Sequence, residues 1–161
     1  MELEMMTQEW IDALPDDKYL VCERLDHRSD FIIKSENTEE TLQFIEEVAK
    51  ALELKVIVVA LKCREDVVGP PIIAMDDNTG LSYYNYDKPW WKKCVEENTE
   101  TSVVIFNIDS ATDRLVNMLK SYVENRNDNC FFGFIYSDKT RNIRTTTIYH
   151  LVKPVINWGE E

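Results

Sequence analysis

Four short runs of β-branched and aromatic residues recur along the chain, each separated from the next by helix-forming sequence. They are "FIIK" from Phe31, "KVIVVALK" from Lys55, "TSVVIFNID" from Thr101 and "CFFGFIYS" from Cys130. A strand that is apolar at every position, rather than at every second one, must be covered on both of its faces. After the first run, Leu42, Ile45, Val48, Ala49 and Leu52 recur at spacings of three and four, which predicts a helix with one apolar stripe over 41–54. Parallel neighbours need a crossover, and the crossover helices then supply the cover. The expected fold class is therefore α/β, a three-layer sandwich around a mainly parallel five-stranded sheet.

The remaining segments are read around that frame. "TQEWIDAL" (7–14) predicts a short helix capped by Thr7, with Trp10, Ile11 and Leu14 on one face. "YLVCERL" (19–25) reads as an edge strand. Thr38 or Ser35 is placed to cap the helix after "FIIK", with Glu39, Glu40 and Glu46 near its positive end. "MDDNTGLSYYNYDKPWW" carries Asn78, Gly80 and Pro89 and predicts a hairpin or long loop, followed by a short helix in "WWKKCVEEN". "ATDRLVNMLKSYVENR" (111–126) predicts a helix with Leu115, Met118, Leu119 and Tyr122 inward, and "TTTIYHLVKPVINW" (145–158) a last strand cut by Pro154. With no repeat or Pro/Gly/Ser linker, residues 1–161 are expected to form one domain. It divides into an N-terminal helix and edge segment (1–27) and a core (28–158) with an aromatic insert at about 75–91.

The formal net charge of -12 argues against direct contact with nucleic acid or an anionic membrane surface, both of which would repel the chain. No run of eighteen apolar residues is present, and "MELEMMTQEW" lacks the basic start of a secretory signal, so a cytoplasmic protein is expected. Cys22, Cys63, Cys94 and Cys130 are widely spaced without a CxxC pair, which predicts reduced, buried or half-buried thiols. His27 and His150 have no neighbours at metal-ligand spacing, His27 reading as a loop residue and His150 as a structural one. No metal and no cofactor is expected.

The order of these elements and several local motifs resemble the core of an AAA+ ATPase, in its MoxR-like, dynein-related branch. "REDVVGPPIIAMDDNTGLSYYNYDKPWWKKC" (64–94) resembles that branch's turn and insert hairpin. "VVIFNIDSATDRLVNMLKSYVENR" (103–126) is similar to the Walker B strand and its helix, and "CFFGFIYSDKTRN" (130–142) to the sensor-1 strand and loop. The resemblance covers residues 28–158, makes the sheet P-loop-like and AAA+ core-like, and stops without a helical lid domain.

The same resemblance implies a lost catalytic centre. A P-loop needs glycines to turn backbone amides toward phosphate, a lysine for the β- and γ-phosphates and a hydroxyl for magnesium. Laid on "KSENTEET", that pattern puts Lys34 and Glu39 at glycine places, Glu40 at the lysine place and Thr41 at the hydroxyl place. Each carboxylate close to a triphosphate costs on the order of 4 kcal/mol at an effective dielectric near 20, and the missing lysine removes a favourable contribution of similar size. The Walker B acidic pair falls on Phe106 and Asn107 or on Asn107 and Ile108, with Asp109 in a later polar place, and the sensor-1 place holds Ser137 or Asp138.

These readings lead to the expectation of a pseudo-ATPase, a non-catalytic AAA+-like module that binds another protein. Such a chain could act as a regulator or inhibitor docked on an ATPase, in the manner of proteins encoded by viruses of bacteria. The aromatic cluster "YYNYDKPWW" offers Tyr83, Tyr84, Tyr86, Trp90 and Trp91 as either anchors of the insert or a partner-binding patch, and Arg126 and Arg141 occupy places where such folds carry interface arginines. Two alternatives stand beside it: an acidic mimic of DNA that occupies a basic nucleic-acid-binding protein, and a nucleotide-binding protein that uses unusual residues.

Overall fold

The computed structural model describes residues 8–125, 129–137, 139 and 141–159. Helices α1 (Gln8–Asp12) and α2 (Asp16–Asp26) precede β1 (Phe31–Lys34), α3 (Thr38–Ala51) and β2 (Lys55–Ala60). A single turn, α4 (Glu65–Val68), leads into a hairpin of β3 (Pro71–Met75) and β4 (Ser82–Tyr86). Then come α5 (Trp90–Glu97), β5 (Ser102–Asn107), α6 (Asp113–Asn117), α7 (Lys120–Glu124) and β6 (Cys130–Tyr136). A 3-10 turn at Ile143–Thr145, α8 (Thr147–Val152) and β7 (Val155–Asn157) follow.

Five strands form one sheet in the order β2-β5-β6-β1-β7, and every pairing in it is parallel. Both faces are buried, as the uninterrupted apolar runs require. On one face Phe31, Ile33, Val103, Ile105, Phe131 and Ile135 pack with Ile45 and Val48 of α3 and with Val21, Cys22 and Leu25 of α2. On the other, Ile32, Val104, Phe106, Phe132 and Phe134 pack with Trp91, Leu115, Val116, Ile148 and Val152 from α5, α6 and α8. The mainly parallel five-stranded sheet between two helical layers is thus as expected from the sequence. At the centre of the sheet Phe31 is the register partner of Gly133, and a Cβ on Gly133 would lie 2.3 Å from the Phe31 ring. The glycine makes room for the ring. Among the described residues no helix is long and apolar enough to cross a membrane.

Several local expectations are corrected. "YLVCERL" is not an edge strand but the body of α2, because Val21, Cys22 and Leu25 form one buried helical stripe and Pro15-Asp16-Asp17 supplies a helix start. The segment 145–158 is not one strand: Thr146 caps α8 by accepting from the Tyr149 amide, Ile148 and Val152 point inward one turn apart, and only Val155–Asn157 pairs with β1. His150 accordingly lies exposed on α8. The helix read over 111–126 is broken into α6 and α7 at Met118-Leu119. β2, at the end of the sheet, is buried on one face through Ile57 and Val59 and only partly covered on the other, where Val56 is half-buried and Val58 exposed. The insert hairpin begins at Pro71, ahead of the 75–91 boundary, in the first-residue position that a proline tolerates in an unshared strand. The Thr7 cap lies outside the described residues.

Candidate functional site

In an open parallel sheet a ligand crevice forms at the carboxyl rim, where neighbouring strands send their connections to opposite faces. Here that point lies between β1 and β6. β1 continues into α3 on one face, while β6 continues through the 3-10 turn into α8 on the other.

Only Ser35, Glu36 and Asn37 separate β1 from α3. Asn37, rather than Thr38 or Ser35, is the N-cap: its Oδ1 accepts from the Glu40 amide at 3.1 Å, and its Nδ2 donates to Glu40 Oε2 at 3.3 Å. The Asn37 amide donates in turn to Ser35 Oγ at 3.1 Å. Thr41 is fully buried. Its Oγ1 lies 2.8 Å from Ser35 Oγ and donates to the Asn37 carbonyl at 3.1 Å. Two of the amides that an anion would use are thus bonded to side chains. Glu39 and Glu40 sit in the first turn, where a negative charge meets the positive end of the helix. The helix start is satisfied by the chain's own Ser35 and Asn37 side chains, with Glu39 and Glu40 adding negative charge beside it.

A second set of bonds crosses the crevice. Ser137, the residue after β6, donates its Oγ to Glu36 Oε2 at 2.9 Å, and its amide donates to Asp109 Oδ1 at 2.8 Å. The Asp109 amide donates to Asn107 Oδ1 at 3.1 Å, and Lys139 Nζ lies 3.8 Å from Glu36 Oε2. The loops after β1, β5 and β6 are therefore joined through Glu36, Ser137, Asp109 and Asn107. Of the Walker B places, Phe106 and Ile108 are buried in the core and Asn107 belongs to this chain of bonds. Asp138 lies outside the described residues.

Two cavities flank the rim. One of 230 Å³ is lined by Lys34, Glu36, Asn37, Glu40, Trp158 and Gly159, with the carboxylates of Glu36 and Glu40 in its wall. The other, of 740 Å³, includes Lys34, Arg144, Lys153, Tyr136, Tyr149 and Asn157 in its lining. Among the described residues no group of three or more His, Cys, Asp or Glu is placed to hold a metal ion.

The partner-binding candidates divide. Trp91 is only 1% exposed and is a core residue. It meets Phe106, Tyr122 and Phe132 edge-on with ring centroids 5.3, 5.0 and 6.0 Å away, and its Nε1 donates to the Asp66 carbonyl at 2.7 Å. Arg141 also turns inward, its side chain 6% exposed. It pairs with Asp113 Oδ1 at 3.0 Å and bonds the Ala111 carbonyl, which staples the loop after β6 to the start of α6, and its Nε is buried without a partner among the described residues. Neither residue is available to a partner. Arg126 lies outside the described residues. Tyr83, Tyr84, Tyr86 and Trp90 are exposed, and the sequence reading missed their aliphatic companions Ile72, Ile73, Met75 and Leu81. The signal for those was the pair of short β-prone runs flanking "DDNTG". The Asn37 cap was also legible, as an Asn followed three residues later by Glu.

No family model matches the chain, and no curated protein matches it. Among solved structures, a single-residue variant of RuvB from Thermotoga maritima is similar at 13% identity and a TM-score of 0.48. The alignment covers 96% of this chain and 46% of that one, so this chain spans less than half the length of the RuvB structure. A likeness this distant carries no argument about the site.

Proposed function

We propose that this chain is a non-hydrolytic AAA+-like module that works by binding another protein, as a regulator or inhibitor of a partner such as an ATPase. The observation that carries the reading is the bridge from Glu36 through Ser137 and Asp109 to Asn107, which occupies the crevice where a nucleotide and its metal would sit. Opening it for a triphosphate would break two bonds to carboxylates and bring Glu36 and Glu40 against phosphate. Charge-assisted bonds contribute about 1.5–3 kcal/mol each, and the repulsion adds to that loss. The Ser35–Thr41 pair supports the same reading, because the one hydroxyl retained from the P-loop pattern is bonded inside the protein.

Titration calorimetry with ATP and magnesium tests it. The expected result is no heat at about millimolar nucleotide, where a binding free energy of only about 4 kcal/mol would already register. Magnesium-dependent binding that strengthens in Glu40→Gln would overturn the reading. A magnesium-independent signal that disappears in Arg144→Glu would instead place the anion in the 740 Å³ cavity and leave the rim as described. The protein-binding half is tested by affinity capture with the tagged chain, and turnover of a captured ATPase should fall when the purified chain is added.

A further inference from the structure

The hairpin of β3 and β4 carries apolar side chains where a surface element ordinarily carries polar ones. Tyr84 is 86% exposed, Ile73 71%, Leu81 68% and Met75 64%, while Tyr83, Tyr86 and Ile72 are exposed to a smaller degree. The register sorts them. Pro71 opposite Tyr86, Ile73 opposite Tyr84 and Met75 opposite Ser82 share one face. Ile72 opposite Asn85 and Ala74 opposite Tyr83 share the other, and Leu81 stands near the turn. At about 200 Å² per large side chain, these seven exposed residues present roughly 850 Å². Taken over both faces and the turn, that is close to the roughly 800 Å² that one side of a standard interface buries.

The base of the hairpin is held while its blade is open. Gly69, at φ 85, packs so closely on the return strand that a Cβ would lie 1.9 Å from the Asp87 carbonyl oxygen. The Asp87 amide donates to the Pro70 carbonyl at 2.9 Å, Arg64 lies over the Tyr86 ring at 5.4 Å, and Trp91 anchors the following helix in the core. A blade presented in this way loses little further freedom on binding.

We propose that the hairpin is the docking element of this chain, and that its occupant is an apolar groove with a basic rim on another protein. This deepens the protein-binding reading and rests on it. A groove is required because apolar residues lie on both faces, and a flat surface would cover only one. The rim is basic because Asp76 and Asp77 stand at the hairpin turn and residues 70–87 hold no Lys or Arg, whereas Asp87 at the base is paired with Lys93 at 2.5 Å. The same charge disfavours a second copy, since paired hairpins would bring like carboxylates together in a chain of net charge -12.

The test uses the full chain with Tyr84 replaced by a photoreactive phenylalanine analogue, irradiated in an extract of the source cells beside a control carrying it at Lys50. The adduct identifies the partner. Its affinity is then measured for the wild type, for Ile73→Thr/Tyr84→Thr, which keeps strand-forming residues, and for Asp76→Asn/Asp77→Asn. The first double variant should bind about 100-fold more weakly with an unchanged melting temperature. The second should bind several-fold more weakly at low salt, with the difference closing at about 0.5 M. An adduct formed equally from Lys50, or a captured partner whose affinity both variants retain, overturns the docking surface and leaves the protein-binding reading intact. An adduct of twice the chain mass assigns the hairpin to self-association and overturns the stated occupant. No partner from either the photoreactive or the tagged wild-type chain overturns the underlying reading as well.

Discussion

Replacing Ser35 by Ala and Thr41 by Val separates a structural rim from a vacant catalytic one. The two side chains are 1% and 0% exposed and their oxygens lie 2.8 Å apart. Ser35→Ala removes that bond and also the acceptor of the Asn37 amide, which leaves a partly buried donor unsatisfied beside the helix start. A hydrogen bond contributes about 0.5–1.5 kcal/mol net, and a buried group left unpaired costs about 1–3 kcal/mol, so a loss of about 2 kcal/mol is expected. Thr41→Val keeps the shape and loses the bonds to Ser35 and to the Asn37 carbonyl. Ser35 keeps the Asn37 amide, and the Asn37 carbonyl keeps the Thr41 amide, so the loss should be nearer 1 kcal/mol. The double variant removes the shared bond only once, giving a coupling of about 1 kcal/mol. Urea unfolding followed by tryptophan fluorescence, with and without magnesium, reads these values. With a slope of about 2 kcal/mol per molar, Ser35→Ala should lower the midpoint by roughly 1 M. Two small, additive effects would refute the reasoning. So would a Thr41→Val variant of unchanged stability that had lost a magnesium-dependent stabilisation present in the wild type.

Other perturbations probe the frame. Trp91→Ala should destabilise by about 3–5 kcal/mol in denaturant melts, and Trp91→Phe by less, because one aromatic ring still packs there while the bond to the Asp66 carbonyl and the rest of the indole volume are lost. Gly133→Ala forces a methyl against the Phe31 ring and should cost about 1–3 kcal/mol, with Phe31→Leu/Gly133→Ala less damaging than the sum of the single changes. Burial first, and the Asp26 carboxylate second, push the Cys22 thiol up to about 11, so its neutral form is favoured by folding. That contribution is complete below the ordinary thiol value of 9.0 and is lost as pH rises through about 11. Stability should therefore fall across that window in the wild type and fall less in Cys22→Ala. At neutral pH a thiol reagent should label exposed Cys63 first and reach Cys22 only on unfolding.

The parallel sheet was legible because burial on both faces strips polar residues from a strand, and "CFFGFIY" or "SVVIFN" can sit nowhere else. α2 was not. Its run of Leu20, Val21 and Cys22 looks extended, and the start signal in Pro15-Asp16-Asp17 carries the helix instead. Three consecutive threonines hid α8 in the same way, since Thr146 works there as a cap and not as a β-branched strand residue. That "KSENTEET" holds no glycine could be read from the sequence alone. The bonds across the rim could not, because Glu36 meets Ser137 across 101 positions and Asp109 meets Ser137 across 28. Spacing carries no record of such contacts. The aromatic half of the hairpin was visible as a cluster, whereas its aliphatic half became significant only once the register placed Ile73 beside Tyr84.

Amide chemical shifts followed by nuclear magnetic resonance during addition of ATP and magnesium test the central claim most directly. The claim is that carboxylates and hydroxyls of the protein itself fill the would-be nucleotide crevice. The amides of Asn37, Glu40, Asp109 and Ser137 should stay in place up to about millimolar nucleotide, a concentration at which a site with a binding free energy of only about 4 kcal/mol would be half filled. Saturable, magnesium-dependent shifts confined to those four amides would contradict the account.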